Sequence, residues 1–210
     1  MERLNSRDVL AETFAMLRRS GVRAGIALFV MTVAGVVADL AAESGGKLNL
    51  LVSAAFFGMQ YWLTRELLDE LELKGDSGGR TWQMFGVCFL TNLGILLGFV
   101  LLIIPGVILL VRWSLSVPHV LADDEIGVID SIGRSWEETG ANFWTILIAL
   151  LVFYVPAGIA IVATVLSTGG MAASIPFNLF VSAGAIGGWH VSVAVFAARR
   201  PTRQLAETFA

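Results

Sequence analysis

The chain has 210 residues, of which 56% are hydrophobic and only 15% are charged, and its formal net charge is −3. An ordinary globular domain is about one-quarter charged, and the mean hydropathy of +0.77 is also far from the balance of such a domain. The composition therefore predicts a membrane protein, and no nucleic-acid partner is expected. Because the apolar runs are spread along the whole chain with no long polar block between them, one integral membrane domain over residues 1–210 is predicted.

The first 21 residues form an amphipathic segment ahead of the first apolar run. Helical spacing within SRDVLAETFAMLRR (6–19) places Val9, Leu10, Phe14 and Leu17 on one face. This pattern predicts a surface helix that leads into the bundle, with membrane sensing or the docking of a protein partner as the alternative. The acidic residues in this segment argue against a cleavable signal peptide. The hexapeptide LAETFA, at 10–15, recurs at 205–210, and no function is inferred from the repetition.

The apolar runs that follow are interpreted as transmembrane helices. A helix rises about 1.5 Å per residue and the hydrocarbon core is about 30 Å thick, so roughly 20 apolar residues cross it once. The sequence predicts an all-α membrane bundle of six spans within 22–198, a surface helix near 125–138 and a cytoplasmic tail at 199–210. The predicted spans are 22–42, 49–63, 82–104, 107–122, 143–166 and 177–198.

The third span and the start of the fourth lie in one uncharged stretch between Arg80 and Arg112, which is too long to cross the bilayer as a single helix. Proline removes a backbone donor, and glycine accepts the dihedral angles of a tight reversal. Pro105 and Gly106 are therefore predicted to form the turn of a helical hairpin, and Pro118 is predicted to bend its second arm. A single kinked helix that continues past Pro105 is the alternative.

A second amphipathic segment, IGVIDSIGRSWEE at 126–138, precedes the fifth span. Ile126, Ile129, Ile132 or Gly133, and Trp136 recur in it at helical spacing. The pattern predicts another amphipathic surface helix that packs on the bundle as a lead-in to the next span, again with membrane sensing or partner docking as the alternative.

The positions of lysine and arginine predict the orientation of the chain, because these residues mark the cytoplasmic side of a membrane protein. In the six-span arrangement, 13 of the 14 lysine and arginine residues fall on the side of the N-terminus, and the exception is Lys47. Arg112 is one of the 13, but it carries no weight in this comparison because it lies within a span. The distribution predicts a multi-pass protein of the plasma membrane with both termini in the cytoplasm.

Charged and polar groups within a span are costly, so each is a candidate functional residue. Arg112 would lie about 9 Å below the hairpin tip, and Asp39 is the only acid in the outer half of any predicted span. A structural Arg112–Asp39 ion pair is predicted, with an anion or lipid-headgroup site on Arg112 as the alternative. Asn92 and His190 are predicted to make interhelical hydrogen bonds.

The sequence shows no metal-ligand spacing, no Ser–His–acid set and no phosphate-binding glycine loop. We therefore expect no enzyme activity, no metal and no other cofactor. Small residues instead recur four positions apart in four spans, which predicts close helix packing, with dimerisation as the alternative. These pairs are Gly21 and Gly25, Ala54 and Gly58, Gly94 and Gly98, and Gly184 and Gly188.

Residues 103–144, IIPGVILLVRWSLSVPHVLADDEIGVIDSIGRSWEETGANFW, resemble a bacterial family of six-helix integral membrane proteins. The family comprises the membrane domain that accompanies some glycerophosphoryl diester phosphodiesterases and its stand-alone, uncharacterised relatives. The resemblance implies a helical domain of the inner membrane, and no catalytic residue is carried over, because no polar stretch is long enough to hold the phosphodiesterase domain. The matching elements are Pro105–Gly106, Arg112–Trp113, Pro118, the acids at 123–125, Arg134–Ser135–Trp136 and Gly140.

These observations favour a non-enzymatic membrane module that binds lipid or a partner protein and supports the bacterial envelope. Its expected partners are the lipid bilayer and a protein on the cytoplasmic face, and a homo-oligomer is compatible with it. The alternative is a small transporter or a lipid-moving protein, which would need a polar cavity near the membrane midplane and a broken helix. An enzyme acting on lipid is the least favoured, because it needs an acid–base constellation that the sequence lacks.

Overall fold

The structure, a computed structural model, describes residues 4–43, 48–75, 80–166 and 171–200. Within these ranges all regular secondary structure is helical and no strand occurs, which confirms the predicted all-α bundle. The helices are α1 (Ser6–Arg19), α2 (Gly21–Glu43), α3 (Asn49–Glu70), α4 (Thr81–Leu101), α5 (Ile103–Arg112), α6 (Ser116–Ala122), α7 (Val128–Thr139), α8 (Phe143–Leu166) and α9 (Met171–Arg199), with a 3₁₀ turn at Gly140–Asn142 between α7 and α8.

Five stretches of the described chain are long and apolar enough to cross a membrane, so this is a multi-pass membrane protein. The predicted second span is helical as part of α3, but α3 is less apolar than the others because Gln60, Arg65 and Glu66 lie in its C-terminal half. A sixth span in α3 therefore stays a prediction. The five stretches are Gly21–Ala42, Thr81–Leu101, Ile103–Ala122, Val128–Thr164 and Ala173–Arg199.

The C-terminal helix α9 is the centre of the bundle. It packs against α1, α2, α3, α6 and α8, and side chains such as Val191, Val195 and Phe196 are completely buried. In its most apolar stretch 67% of the residues are buried, compared with 28% in α2 and in α4. The other spans therefore expose most of their apolar surface outward, where the lipid of a bilayer would lie.

The chain reverses between α4 and α5 as a hairpin, but the turn is not at the predicted position. Leu102 is the residue in extended conformation (φ −163°, ψ 149°), whereas Pro105 and Gly106 lie in the first turn of α5. The first turn suits proline because backbone N–H groups there have no partner within the helix. Gly106 instead allows close contact between the two arms, since a Cβ atom at Gly98 would lie 2.9 Å from the Cα atom of Gly106.

The second arm of the hairpin is broken. α5 has only 10 residues and is about 15 Å long, so it cannot cross a core of about 30 Å without α6. The break lies at residues 113–115, and Pro118 is in the first turn of α6 rather than at a bend within one helix.

The predicted N-terminal surface helix, α1, is docked on α8 and α9. Val9, Thr13 and Met16 face the bundle and are buried, and Phe14, which is 48% exposed, contacts Phe153 with 5.6 Å between ring centroids. The predicted apolar face is thus partly turned to the bundle and partly outward.

The second predicted surface helix, α7, has an unexpected inner face. Of the residues predicted to share one apolar face, Ile126 is buried just before α7, whereas Ile129 and Trp136 are 70% and 42% exposed and do not pack on the bundle. The face toward the bundle instead carries three completely buried hydroxyl residues, Ser131, Ser135 and Thr139. α7 therefore packs by polar contacts and presents its apolar side outward.

Segments predicted to share one side of the membrane meet at one end of the bundle, which we call the charged end. Arg23 of α2 pairs there with Glu66 and Glu70 of α3 at 3.6 and 2.9 Å. The Arg80 guanidinium donates to the backbone carbonyl groups of Asp123 and Ile126. The contacts agree with the predicted topology at the level of the bundle, although they do not assign the charged end to the cytoplasm.

The predicted small-residue pairs have different surroundings. A Cβ atom at Gly184 would lie 3.1 Å from the Phe153 carbonyl oxygen, and one at Gly94 would lie 2.6 Å from the Trp113 ring, so both residues are at close helix contacts. Gly21, Gly25 and Gly58 have no such neighbour within 4 Å, and the predicted close packing is absent at these three positions. The second LAETFA copy lies outside the described residues.

Candidate functional site

A cavity of about 730 Å³ lies between α3, α4, α8 and α9, beside the break between α5 and α6. Its mouth is between α3 and α4, because these two helices make few contacts with each other. Phe89 and Leu96 in the middle of α4 line the cavity and are 57% and 60% exposed, and Ser53 of α3 is also exposed. These exposed lining residues indicate that the cavity opens at the side of the bundle, between α3 and α4.

The wall of the cavity is mainly apolar and contains no charged side chain. Three hydroxyl groups in it, those of Thr91, Ser114 and Ser192, donate to carbonyl oxygens of their own helices or of the helix just before them, at 2.7, 2.8 and 2.9 Å. Hydroxyl groups bound in this way have little capacity left for a ligand.

Three other polar side chains, one from each of three helices, retain hydrogen-bonding capacity in the wall. Asn92 of α4 donates to the Cys88 carbonyl at 2.7 Å, which leaves its own amide oxygen available. The amide oxygen of Gln60 on α3 is 3.6 Å from the Cys88 thiol, and its amide nitrogen has no partner among the described residues. The Tyr154 hydroxyl on α8 likewise has no partner within the described ranges. Asn92 therefore does not make the predicted interhelical hydrogen bond. It bonds within α4 instead, and its side chain lines the cavity.

The break in the second hairpin arm is held by the hydroxyl face of α7. The Ser135 hydroxyl donates to the Arg112 carbonyl at 2.7 Å and accepts from the Leu115 N–H at 3.1 Å. The Thr139 hydroxyl donates mainly to the Ser135 carbonyl of its own helix at 2.7 Å and lies 3.2 Å from the Arg112 carbonyl as a weaker, shared contact. Backbone groups freed by a break inside a membrane need such partners. The hydroxyl residues thus fix the position of Trp113 and Ser114, which line the cavity.

Sequence reasoning missed both Ser135 and the cavity residues Gln60 and Tyr154. A signal for Ser135 was present, because Ser131, Ser135 and Thr139 recur every four residues in an otherwise amphipathic helix. No comparable pattern marks Gln60 or Tyr154, since their common site is created only when α3 and α8 pack around the same space.

The predicted Arg112–Asp39 ion pair is not formed. Asp39 instead joins α2 to α9, because one carboxylate oxygen accepts from the Ser174 hydroxyl at 2.5 Å and from the Asn178 amide at 2.8 Å. Arg112 turns toward α7, where it donates to the Trp136 carbonyl at 2.8 Å. The physical reason is the break after Arg112, which brings α7 within reach of the guanidinium.

Asp39 should therefore be energetically coupled to Asn178 and not to Arg112. In a double-mutant cycle with Asp39→Ala and Asn178→Ala, we expect a coupling of about 1–2 kcal/mol in the free energy of unfolding, since one charge-assisted hydrogen bond is shared. The measurement is unfolding in detergent. A cycle of Asp39→Ala with Arg112→Gln serves as the control, and additive losses are expected there. Coupling in the control cycle alone would contradict this assignment.

The histidines hold the helices together near the charged end. Nδ1 of His190 is 2.8 Å from the Ile186 carbonyl and therefore carries a proton, while Nε2 is 2.9 Å from the Ser20 hydroxyl between α1 and α2. His119 is completely buried, with Nε2 3.2 Å from a carboxylate oxygen of Glu138. Both side chains are engaged in contacts between helices.

The described residues contain no group of three or more His, Cys, Asp or Glu side chains that could hold a metal ion. Comparison with known proteins found no matching protein family, no similar curated protein and no similar solved structure. The fold and the site define a class, namely a multi-pass membrane protein with a cavity that opens sideways beside a broken helix.

Proposed function

We propose that this protein is a non-enzymatic membrane module that binds an amphipathic lipid in the cavity and thereby supports the bacterial envelope. The observation that carries the proposal is the sideways mouth between α3 and α4. A ligand that enters there comes from the bilayer and not from water, so it must be soluble in the membrane.

The chemistry of the wall favours a lipid chain with uncharged polar groups. The volume of about 730 Å³ falls in the range of about 300–1,000 Å³ that is usual for small-molecule sites. Aromatic and aliphatic side chains would contact the acyl chain, and Gln60, Asn92 and Tyr154 could bond ester or hydroxyl oxygens. A charged headgroup would find no counter-charge in the wall and would be left at the mouth.

A second candidate function is the movement of lipid between membrane leaflets. It is favoured by one observation, the break at residues 113–115 in the cavity wall. Discontinuous helices beside a midplane cavity are typical of membrane transporters. Binding without movement is preferred, because the break is held by Ser135 and Thr139 and the wall has few polar groups.

The predicted orientation and partners belong to the same proposal. We place both termini in the cytoplasm and the protein in the inner membrane, because the positively charged segments gather at one end of the bundle. Membership of the six-helix family is part of this proposal, on the residues between 103 and 144 quoted above. A protein partner on the cytoplasmic face and a homo-oligomer also stay predictions.

Filling the cavity should reduce lipid retention. Ala185 lines the cavity, whereas Ala183, on the same helix, is exposed and lines no part of it. We expect Ala185→Phe to lower the amount of lipid co-purified with the protein at least severalfold, and Ala183→Phe to leave it unchanged. Native mass spectrometry of both variants in detergent provides the measurement.

Equal lipid retention in both variants would overturn lipid binding in the cavity. The same variants separate the two candidate functions in vesicles that contain fluorescent phospholipid. Fluorescent lipid that changes leaflets with the unmodified protein and with Ala183→Phe, but not with Ala185→Phe, would identify the second function.

A further inference from the structure

Arg112 carries a permanent charge that no acid of the described chain neutralises. Its guanidinium makes none of the ion pairs found among the described residues. One donor, Nη1, bonds the Trp136 carbonyl. The other N–H donors of Arg112 have no partner among the described residues. A guanidinium is always charged, so it requires an acceptor where it meets the membrane.

The position of the guanidinium is fixed by its neighbours. Its central carbon lies 4.9 Å from the centre of the Trp136 ring, in the geometry of a cation–π contact. Gly140 leaves the necessary space, because a Cβ atom there would lie 2.7 Å from Nη1 of Arg112. Stacking and the Trp136 carbonyl bond together hold the guanidinium, and its remaining N–H donors stay available for an acceptor outside the described residues.

The guanidinium of Arg112 lies beside Trp136, a tryptophan that faces outward from the bundle. Exposed tryptophans mark the boundary between hydrocarbon and water in membrane proteins. Trp82, two residues after Arg80 at the charged end, is 80% exposed, and Trp144 at the start of α8 is 72% exposed. Trp136 is 42% exposed and lies on the outward face of α7. Arg112 is the last residue of α5, and its long side chain carries the charge to Trp136, which is a residue of the type that marks this boundary.

From these observations we infer that Arg112, held by Trp136 and Gly140, binds the phosphate of a phospholipid headgroup. Two parallel N–H donors of arginine match two phosphate oxygens, and such charge-assisted bonds are the stronger ones. The site deepens the proposed lipid binding, but it is separate from the cavity, because Arg112 does not line the cavity wall.

The test measures binding of two lipids with the same chains to the full chain in a phosphate-free detergent. The lipids are dioleoylphosphatidylglycerol, which has a phosphate, and dioleoylglycerol, which does not. We expect Arg112→Gln to weaken phosphatidylglycerol binding about tenfold, which is the loss of one charge-assisted contact. Dioleoylglycerol binding should not change in this variant. Arg134→Gln is the matched control, because Arg134 is exposed and already paired with Asp123 at 3.0 Å.

The outcomes distinguish this site from the cavity and from a site for free phosphate. An equal effect of Arg112→Gln and Arg134→Gln would overturn the site, and so would stabilisation of the protein by inorganic phosphate as strong as that by the phospholipid. Failure of the cavity proposal would instead appear as unchanged dioleoylglycerol binding in Ala185→Phe. If Arg112→Gln does not fold, Gly140→Ala keeps the charge but displaces Nη1. Unchanged phosphatidylglycerol binding in Gly140→Ala would then overturn the inference.

Discussion

Gly188→Leu should lower the free energy of unfolding by about 3 kcal/mol, at the upper end of the usual cost of overpacking a tight contact. A Cβ atom at Gly188 would lie 2.9 Å from Cζ of Tyr154 and still closer to its hydroxyl oxygen. The tyrosine is held between α8 and α9, the helices that share the most extensive contact of the bundle. The ring must therefore move into the cavity or the two helices must separate.

The measurement is the melting midpoint in detergent, with Gly25→Leu as a matched control. Gly25 belongs to another of the predicted small-residue pairs, but no atom lies within 4 Å of a Cβ atom at that position. Its substitution should leave the midpoint nearly unchanged. Similar midpoints for the two variants would show that α8 and α9 do not approach closely at Gly188.

Ser135→Ala should lower the free energy of unfolding by about 1–3 kcal/mol, because two backbone groups at the break would lose a hydrogen-bond partner. The Leu115 N–H would be left without its acceptor, and the Arg112 carbonyl would keep only the longer bond from Thr139. In an apolar environment no water molecule is present to bond the unsatisfied backbone group, so the full cost of the lost hydrogen bond is felt.

Ser131→Ala provides the control for this second result, and thermal unfolding in detergent provides the measurement. Ser131 is also buried on the inner face of α7, but its hydroxyl donates only to the Val128 carbonyl of its own helix. Ser131→Ala should therefore lower the free energy of unfolding by much less than Ser135→Ala does. The same cost at both positions would mean that α7 does not hold the break between α5 and α6.

Helical faces were predictable because the α-helix repeats every 3.6 residues and depends only on local sequence. The periodicity of 126–138 predicted an amphipathic helix, but it did not decide which side packs on the bundle, because Ile129 and Trp136 face outward while Ile126 is buried. Uncharged runs likewise predicted the hairpin around residue 102. The exact residue of the turn was not predictable, because proline is tolerated in the first turn of a helix as well as in a turn between helices.

The partners of polar residues were not predictable, because spacing along one helix does not say which helix lies beside it. The Asp39–Arg112 ion pair was predicted only because the two residues were expected at a similar depth in the membrane. That depth depends on where each helix begins and on whether the helix is continuous. The break at 113–115 allows the Arg112 side chain to reach α7, and the packing of α2 on α9 gives Asp39 its partners Ser174 and Asn178.

The sequence by itself determined that this is an all-α membrane protein, because long uncharged apolar runs are stable as helices in lipid and unstable in water. Only the tertiary structure decided that Gln60, Asn92 and Tyr154 surround one cavity, that Ser135 supports a broken helix, and that Arg112 pairs with no acid among the described residues. Each of these features depends on contacts between residues far apart in the chain, and such contacts are set by how helix surfaces fit together.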